Sequence, residues 1–497
     1  MNTVLPRIIS GVVACAAGLA LWEIVEIKGT MLVASFSLST IAAACCMLAV
    51  VMGIAGCLAT NYFWEAVLPV LGRFLKRLSA PWQQLDHWSG SLLLSFSLIV
   101  YFVIMLNLLP DQPLPEGNDQ AAFLTQARDV QEAGGPSVLL QQLFAGEYTE
   151  ANQHPLYVAI LSYLPDYEAG KRLSAMLGLA ALLLFAFGIA RRYGNLVGGL
   201  TGLLLAVNAA WCRLTGQVVC EALLLLIVAG LWLVLLRVPA EGTSQTRPRF
   251  LWIGIGLLLG LAWLTKGTAL LLLLGVLCWR LSYAVDWRRC LPARFKAEPT
   301  ESETEPRVGR LSWKQALLSL AFVVGSFMVI AAPLLIRNAR VYGSPTFNAN
   351  SYLLFEDEFT EPHALIEERG SLGNAVRRYW QTHSLAQMIK REVKGLAWQV
   401  FIFLRSLGPF PFHEGRLFFG VLLLPFLLTG LLTESGPARR LYLVWLVLFW
   451  LAFAWYLPIA AGERFLMPLL LPTFAFIGLG LARAGQLLKP LPAESGE

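Results

Sequence analysis

Asp119 stands near the start of a polar, acid-rich stretch, EGNDQAAFLTQARDVQEAGGPSVLLQQLFAGEYTEANQHPLY, running from Glu116 to Tyr157 between long apolar segments. A carboxylate so placed can take the proton of an attacking hydroxyl, the work of a general base. Asp129 offers a weaker second acid on the same stretch, and Asn152 and the pair His154-Pro155 close it. Elsewhere Glu221, Lys266, Arg337 and Arg464 are isolated charges beside apolar runs. The forks of Arg337 and Arg464 suit phosphate oxygens, although long basic side chains also snorkel at helix ends. Lys266, in LTKG, is costly unless it meets water, an acid or a phosphate. Glu221 opens a helix, where a carboxylate favours the N-terminal dipole, so its first reading is structural.

These residues need elements to position them, and composition says which kind. Hydrophobic residues make up 57% of the 497, charged residues only 14%, and the mean hydropathy is +0.62. That composition excludes a soluble globular chain of this size. Backbone hydrogen bonds must close within each segment in lipid, and no period-2 alternation supports a barrel, so an all-α, polytopic helical bundle is expected. Apolar spans are readable at 8–22, 31–53, 91–109, 172–190, 195–212, 221–237, 250–265, 267–285, 315–335, 416–433, 441–457 and 465–485, about 12 crossings. The apolar run after Arg7 reads as an uncleaved anchor. Residues 54–90 read as surface-lying helices with Trp64, Trp82 and Trp88 as interfacial anchors, and 297–309 as a flexible linker.

Lys and Arg concentrate on alternate short connections, which predicts that both termini are cytoplasmic. The connection 110–154 then faces outward, and it holds seven acids against one Arg128. The outer stretch 336–415 is nonetheless rich in cations, and anionic lipid head groups are their natural partners. Within the insert, Asn118 or Asp119 caps a helix bearing Phe123, Ala127 and Val130 on one face. If Asp119 is the cap, that is role enough for it. Gly134-Gly135-Pro136 stops this helix, and a second amphipathic helix runs from Ser137 to near Gly146. Residues 384–405 carry an apolar stripe (Leu385, Met388, Ile389, Val393, Leu396, Val400) that suits a membrane-surface anchor.

The ordered pieces NDQAAFLTQARDVQEAG, NQHPLYVAILSYL and AGKRLSAMLGLAALLLFAFGIARRYG resemble the first outer loop and next helix of GT-C glycosyltransferases of the ArnT and protein O-mannosyltransferase type. GQVVCEALLLL, GLAWLTKGTALLL, PLLIRNARVYGSPTF and ERFLMPLLLP follow in the same order, so the likeness covers about 91–485. It implies a catalytic unit over 91–485 with outer loops 110–165 and 336–415, preceded by extra N-terminal helices (1–90) and followed by a cytoplasmic tail (486–497). It further implies transfer of a sugar from a polyprenyl-phosphate donor to a lipid, protein or glycan acceptor at the non-cytoplasmic face, with inversion, in a bacterial inner membrane. Asp119 occupies the place of the family's outer-loop acid and becomes the candidate base. Arg337, Arg464 and Lys266 become candidate donor-phosphate ligands, as does His154. His154 stands where ArnT-like members often carry a lysine before Pro-Pro, and Asn152 where some relatives carry an acid.

A polytopic lipid or glycolipid transporter is the alternative, and a non-catalytic envelope scaffold a third. A transporter would favour paired charges at mid-membrane. Nothing suggests nucleic acid, and no cofactor is specified. The three adjacent acids Glu356-Asp357-Glu358 leave room for a divalent cation, although without spaced ligands they read as a solvated turn. Cys212 and Cys220 flank one connection, and two unpaired thiols are favoured over a disulfide.

Overall fold

The computed structural model describes residues 89–110, 118–150, 152–238, 249–285, 311–410, 416–434, 436–456 and 462–487, with short helical pieces between residues 10 and 54. Regular structure among them is helical, apart from one isolated antiparallel bridge between Asn208 and Pro409. Helix α1 (Ser89–Leu108) leads to the insert, which folds as α2 (Asp119–Glu132), α3 (Pro136–Ala145) and α4 (Pro155–Leu161). There follow α5 (Tyr167–Tyr193), α6 (Asn195–Ala206), α7 (Ala209–Thr215), α8 (Glu221–Leu235), α9 (Arg249–Thr265), α10 (Ala269–Ser282) and α11 (Trp313–Tyr342). A 3-10 turn (Ala349–Phe355), α12 (Pro362–Arg369), α13 (Leu372–Thr382) and α14 (Leu385–Ser406) make the second outer region, before α15 (Arg416–Thr433), α16 (Pro437–Trp455) and α17 (Glu463–Leu487).

Six helices, α1, α5, α11, α15, α16 and α17, are long and apolar enough to cross a membrane, and α6, α8, α9 and α10 are shorter apolar helices. The chain is therefore an integral membrane protein. These ten coincide with ten of the spans expected from sequence; the spans 8–22 and 31–53 are described only in part, and 55–88 and 297–309 lie outside the described residues. Helix α1 has an outward row of Leu92, Phe96, Ile99, Val103 and Leu106, as a lipid-facing helix requires. Helix α17 is the opposite case, packed against α6, α8, α14 and α15. Gly430 and Gly480 let α15 and α17 touch, because a Cβ on either would strike the carbonyl of Phe476 or Phe426.

Two features aim the site. Asn208 breaks α6 from α7, and its side-chain amide donates to the carbonyls of Ser406 (2.7 Å) and Gly408 (3.3 Å), tying that break to the end of α14. Helix α14 keeps Leu385, Ile389 and Val393 exposed while Met388, Gly395, Gln399 and Ile402 face inward. The expected apolar stripe thus divides, and its outward half is the part that fits a membrane surface.

Candidate functional site

The insert is anchored to the bundle by its apolar face. Phe123, Leu124, Ala127 and Val130 of α2 are buried, and the Phe123 ring meets Tyr157 edge-on at 5.2 Å. Gln120 reaches across to accept the Val218 amide at 2.9 Å. Asn118 takes the capping role, accepting the amides of Gln120 (2.9 Å) and Ala121 (3.4 Å). Asp119, at the first helical position, is thereby left free of capping, and its carboxylate turns to other work.

That carboxylate is ion-paired with Arg464 of α17 through Oδ2. The same guanidinium donates through Nε to Glu221 at the start of α8. Glu221 Oε1 also accepts from the Lys266 ammonium at 2.6 Å, just past the end of α9. Asp119, Arg464, Glu221 and Lys266 thus form one chain of alternating charge drawn from four elements. Side-chain exposure falls along it from 44% at Asp119 to 33% at Arg464 and 0% at Glu221, with Lys266 at 13%. A buried carboxylate needs such partners, since an isolated buried charge is far costlier than a paired one. Next to it, burial and the Glu221 charge push the Cys220 thiol up to about 12, so it is protonated and inert. Cys212 and Cys220 are free thiols.

The remaining expected residues lie beside this chain or away from it. Arg337 is 3% exposed; its guanidinium donates to the carbonyls of Glu150 and Tyr148 and lies over the Tyr148 and Tyr342 rings, which fastens the return of the insert to α11. His154 caps α4 without a side-chain capping bond, and its ring meets Trp263 at 5.9 Å. Burial lowers its pKa to about 4; a backbone hydrogen bond with Trp263 opposes the shift, while the charges of Arg337 and Lys266 reinforce it. At neutral pH His154 is therefore an uncharged hydrogen-bonding group, with Nδ1 unpartnered among the described residues. Asn152 accepts from the Asn350 amide at 2.8 Å, joining the two outer regions. Asp129 is exposed, ten residues along α2 from Asp119 or about 15 Å of helix, and does not join the cluster.

A second charged centre escaped the reading of the sequence. Glu463, one residue before Arg464 and 5% exposed, accepts from Arg416 at 2.9 and 3.0 Å, and lies 3.6 Å from Arg405 Nε and 3.5 Å from Arg213 Nη2. Its motif, ERFLMP, was visible, but the arginines come from three distant segments. Among the described residues no group of three His, Cys, Asp or Glu side chains is placed to hold a metal. Glu356 pairs with Arg369 at 3.0 Å and Asp357 with His383 at 3.0 Å.

No protein-family model matches the chain, and no curated protein matches it. Solved structures similar to it include ArnT from Cupriavidus metallidurans bound to undecaprenyl phosphate (15% identity, 79% of this chain and 60% of that one, TM-score 0.45). They also include the S. cerevisiae protein O-mannosyltransferase Pmt1-Pmt2 complex bound to the sugar donor (18% identity, 55% and 36%, TM-score 0.32). A third is the archaeal oligosaccharyltransferase AglB from Archaeoglobus fulgidus in complex with an inhibitory peptide and a dolichol-phosphate (12% identity, 80% and 50%, TM-score 0.43). The chain spans less than two thirds of each. The first two are of the ArnT and protein O-mannosyltransferase types that the sequence motifs resemble.

Two outcomes follow for stability. Glu221→Ala leaves the partly buried Lys266 ammonium without its carboxylate and should cost about 3–5 kcal/mol. Adding Lys266→Met should recover much of that, read as the unfolding midpoint in detergent; equal midpoints for wild type and Glu221→Ala would contradict the pairing. His154 has a folded pKa (about 4) below its ordinary 6.5, so its contribution is complete above pH 6.5 and is lost as pH falls through about 4. His154→Asn should flatten the pH dependence of the midpoint in that window, and an unaltered slope would exclude a buried neutral imidazole.

Proposed function

We propose that the chain is a membrane glycosyltransferase that moves a sugar from a polyprenyl-phosphate donor to an acceptor hydroxyl at the non-cytoplasmic face, with Asp119 as general base. The observation that carries this reading is the Asp119 carboxylate itself: part exposed, relieved of capping by Asn118, and held by Arg464. The ordered motif resemblance supports it independently, placing an acid of the first outer loop at this position.

Asp119 takes the acceptor proton as the acceptor oxygen attacks the anomeric carbon. The bond from that carbon to the phosphate oxygen breaks, and the lipid phosphate departs with the electron pair. A single displacement of this kind inverts the anomeric centre. Arg464, itself held by Glu221 together with Lys266, fixes the Asp119 carboxylate in place. Arg337 and His154 position the insert, and Asn152 links it to the second outer region. Residues 91–485 form the catalytic unit, with both termini cytoplasmic in a bacterial inner membrane.

The transporter reading predicts charge pairs at mid-membrane. Glu221 and Glu463 are the first residues of α8 and α17, Arg464 is the second of α17, and Lys266 follows α9 directly, so these charges sit at helix ends. That distribution favours chemistry at the boundary over passage through the bundle.

Purified protein incubated with a panel of polyprenyl-phosphate sugars and acceptors should release lipid phosphate. Asp119→Asn should slow transfer by about 100-fold or more while leaving the fold intact, because Arg464 keeps Glu221. Wild-type rates from this variant would remove Asp119 as the base.

A further inference from the structure

We propose that α13 and the first half of α14 form one face that seats on an anionic bilayer surface, an apolar strip entering the acyl boundary while Arg377 and Lys390 face the negative charge. The proposal is independent of the glycosyltransferase reading and uses none of its residues. Its first support is a pattern that the chain writes twice. SLGNAVRRYW (371–380) returns thirteen residues later as SLAQMIKREV (384–393). Each copy opens on a serine cap, Ser371 accepting from the Asn374 amide and Ser384 from the Gln387 amide, both at 3.3 Å. Each then places apolar residues four apart: Leu372, Val376 and Trp380 on α13, and Leu385, Ile389 and Val393 on α14.

The fold treats the two copies alike. A step of four residues advances about 40° round a helix, so each row is a strip about 80° wide. On one edge Ala375 and Met388 are buried against the protein. On the other, about 60° past the strip, Arg377 and Lys390 are exposed. The strip between them is left largely uncovered: Leu372, Trp380, Leu385, Ile389 and Val393 are 38–66% exposed, and Val376 is half-buried. A double row of large apolar side chains in water marks a surface that something else covers.

Its level and its charge identify the cover as a bilayer surface. Helix α16 is long and apolar enough to cross a membrane and ends at Trp455. Gly395 of α14 rests on that end, where a Cβ would strike the Ala454 carbonyl, and the guanidinium of Arg391 donates to the Trp455 carbonyl at 2.9 Å and the Tyr379 hydroxyl at 3.0 Å. Both helices are thereby held where a crossing helix leaves the hydrocarbon, the depth at which Trp380 is at home. Between 371 and 394 stand five bases and one acid, Glu392. Glu368 pairs with Arg378 at 3.2 Å and Asp357 lies 3.6 Å from Arg391, whereas Arg377 and Lys390 make no ion pair among the described residues. An apolar strip edged by cations binds an anionic interface by buried area and surface potential together. Seating would also steady the second outer region, since Trp455 donates to the Leu354 carbonyl at 2.8 Å in the turn that sends Asn350 to Asn152 of the insert.

Trp380 is its own reporter: the emission of the full-length wild type minus that of Trp380→Phe is followed in nanodiscs whose phospholipid chains are brominated, either all of neutral head group or including an anionic phospholipid. The difference emission should be quenched in the anionic discs and much less so in the neutral ones. Each cation near an anionic surface contributes a factor of about five, so Arg377→Gln with Lys390→Gln should weaken seating roughly 25-fold and return the quenched fraction toward its neutral-disc level. Raised salt should act in the same direction. All three side chains are exposed, so these variants should keep the wild-type unfolding midpoint. Unquenched difference emission in both kinds of disc would overturn the proposal. Equal quenching in both, unmoved by the double variant, would overturn the assignment to an anionic surface. Emission shielded from an aqueous quencher in native membranes but unquenched in the discs would give the face to a protein partner and overturn the lipid.

Discussion

A carboxylate with no exposed side-chain surface, Glu221, holds the Lys266 ammonium and the Arg464 guanidinium at the ends of α9 and α17. Burying any one of these charges alone would cost several kcal/mol, so each fixes the place of the others. Arg464 then carries the constraint outward to Asp119. The carboxylate proposed to do chemistry is therefore positioned from within the bundle as well as by its own helix. Helix α2 follows, pressed on by Phe123 and Leu124 and pinned by Gln120 to the turn before α8. The same turn thus meets both the insert and the ion chain.

Two charged centres share one helix end. At Arg464 two carboxylates face two cations, an arrangement that keeps Asp119 in register, while at Glu463 three guanidiniums gather on one buried carboxylate. Adjacent residues of α17 project about 100° apart, so one helix start serves both without merging them. Gly430 and Gly480, by allowing α15 to touch α17, bring Arg416 to the second centre while Arg464 turns to the first.

The apolar spans were legible because lipid imposes a length and a composition that local sequence must satisfy. The helices of the insert were legible too, from Gly134-Gly135-Pro136 and the periodicity around Phe123. Lys266 could be flagged because an ammonium between apolar runs demands a partner, but its partner, Glu221, lies 45 residues away and is found only in the fold. Asn118 and Asp119 were equivalent cap candidates until backbone geometry gave the cap to Asn118. His154 was readable as a polar group before a proline, whereas its neutrality depends on desolvation in the fold, reinforced by the Arg337 and Lys266 charges. Of the arginines at Glu463 only Arg405 fell in the cation-rich outer stretch read from sequence, because their meeting is a property of four helix ends.

The central claim is that Arg464 acts through Asp119, and a double-mutant cycle on the rate of sugar transfer tests it most directly. Arg464→Met should slow transfer on the order of tenfold or more in the wild-type background and have little further effect once Asp119 is Asn, because contacting residues couple. The same fractional loss in both backgrounds would mean that the two side chains act independently and would contradict the account.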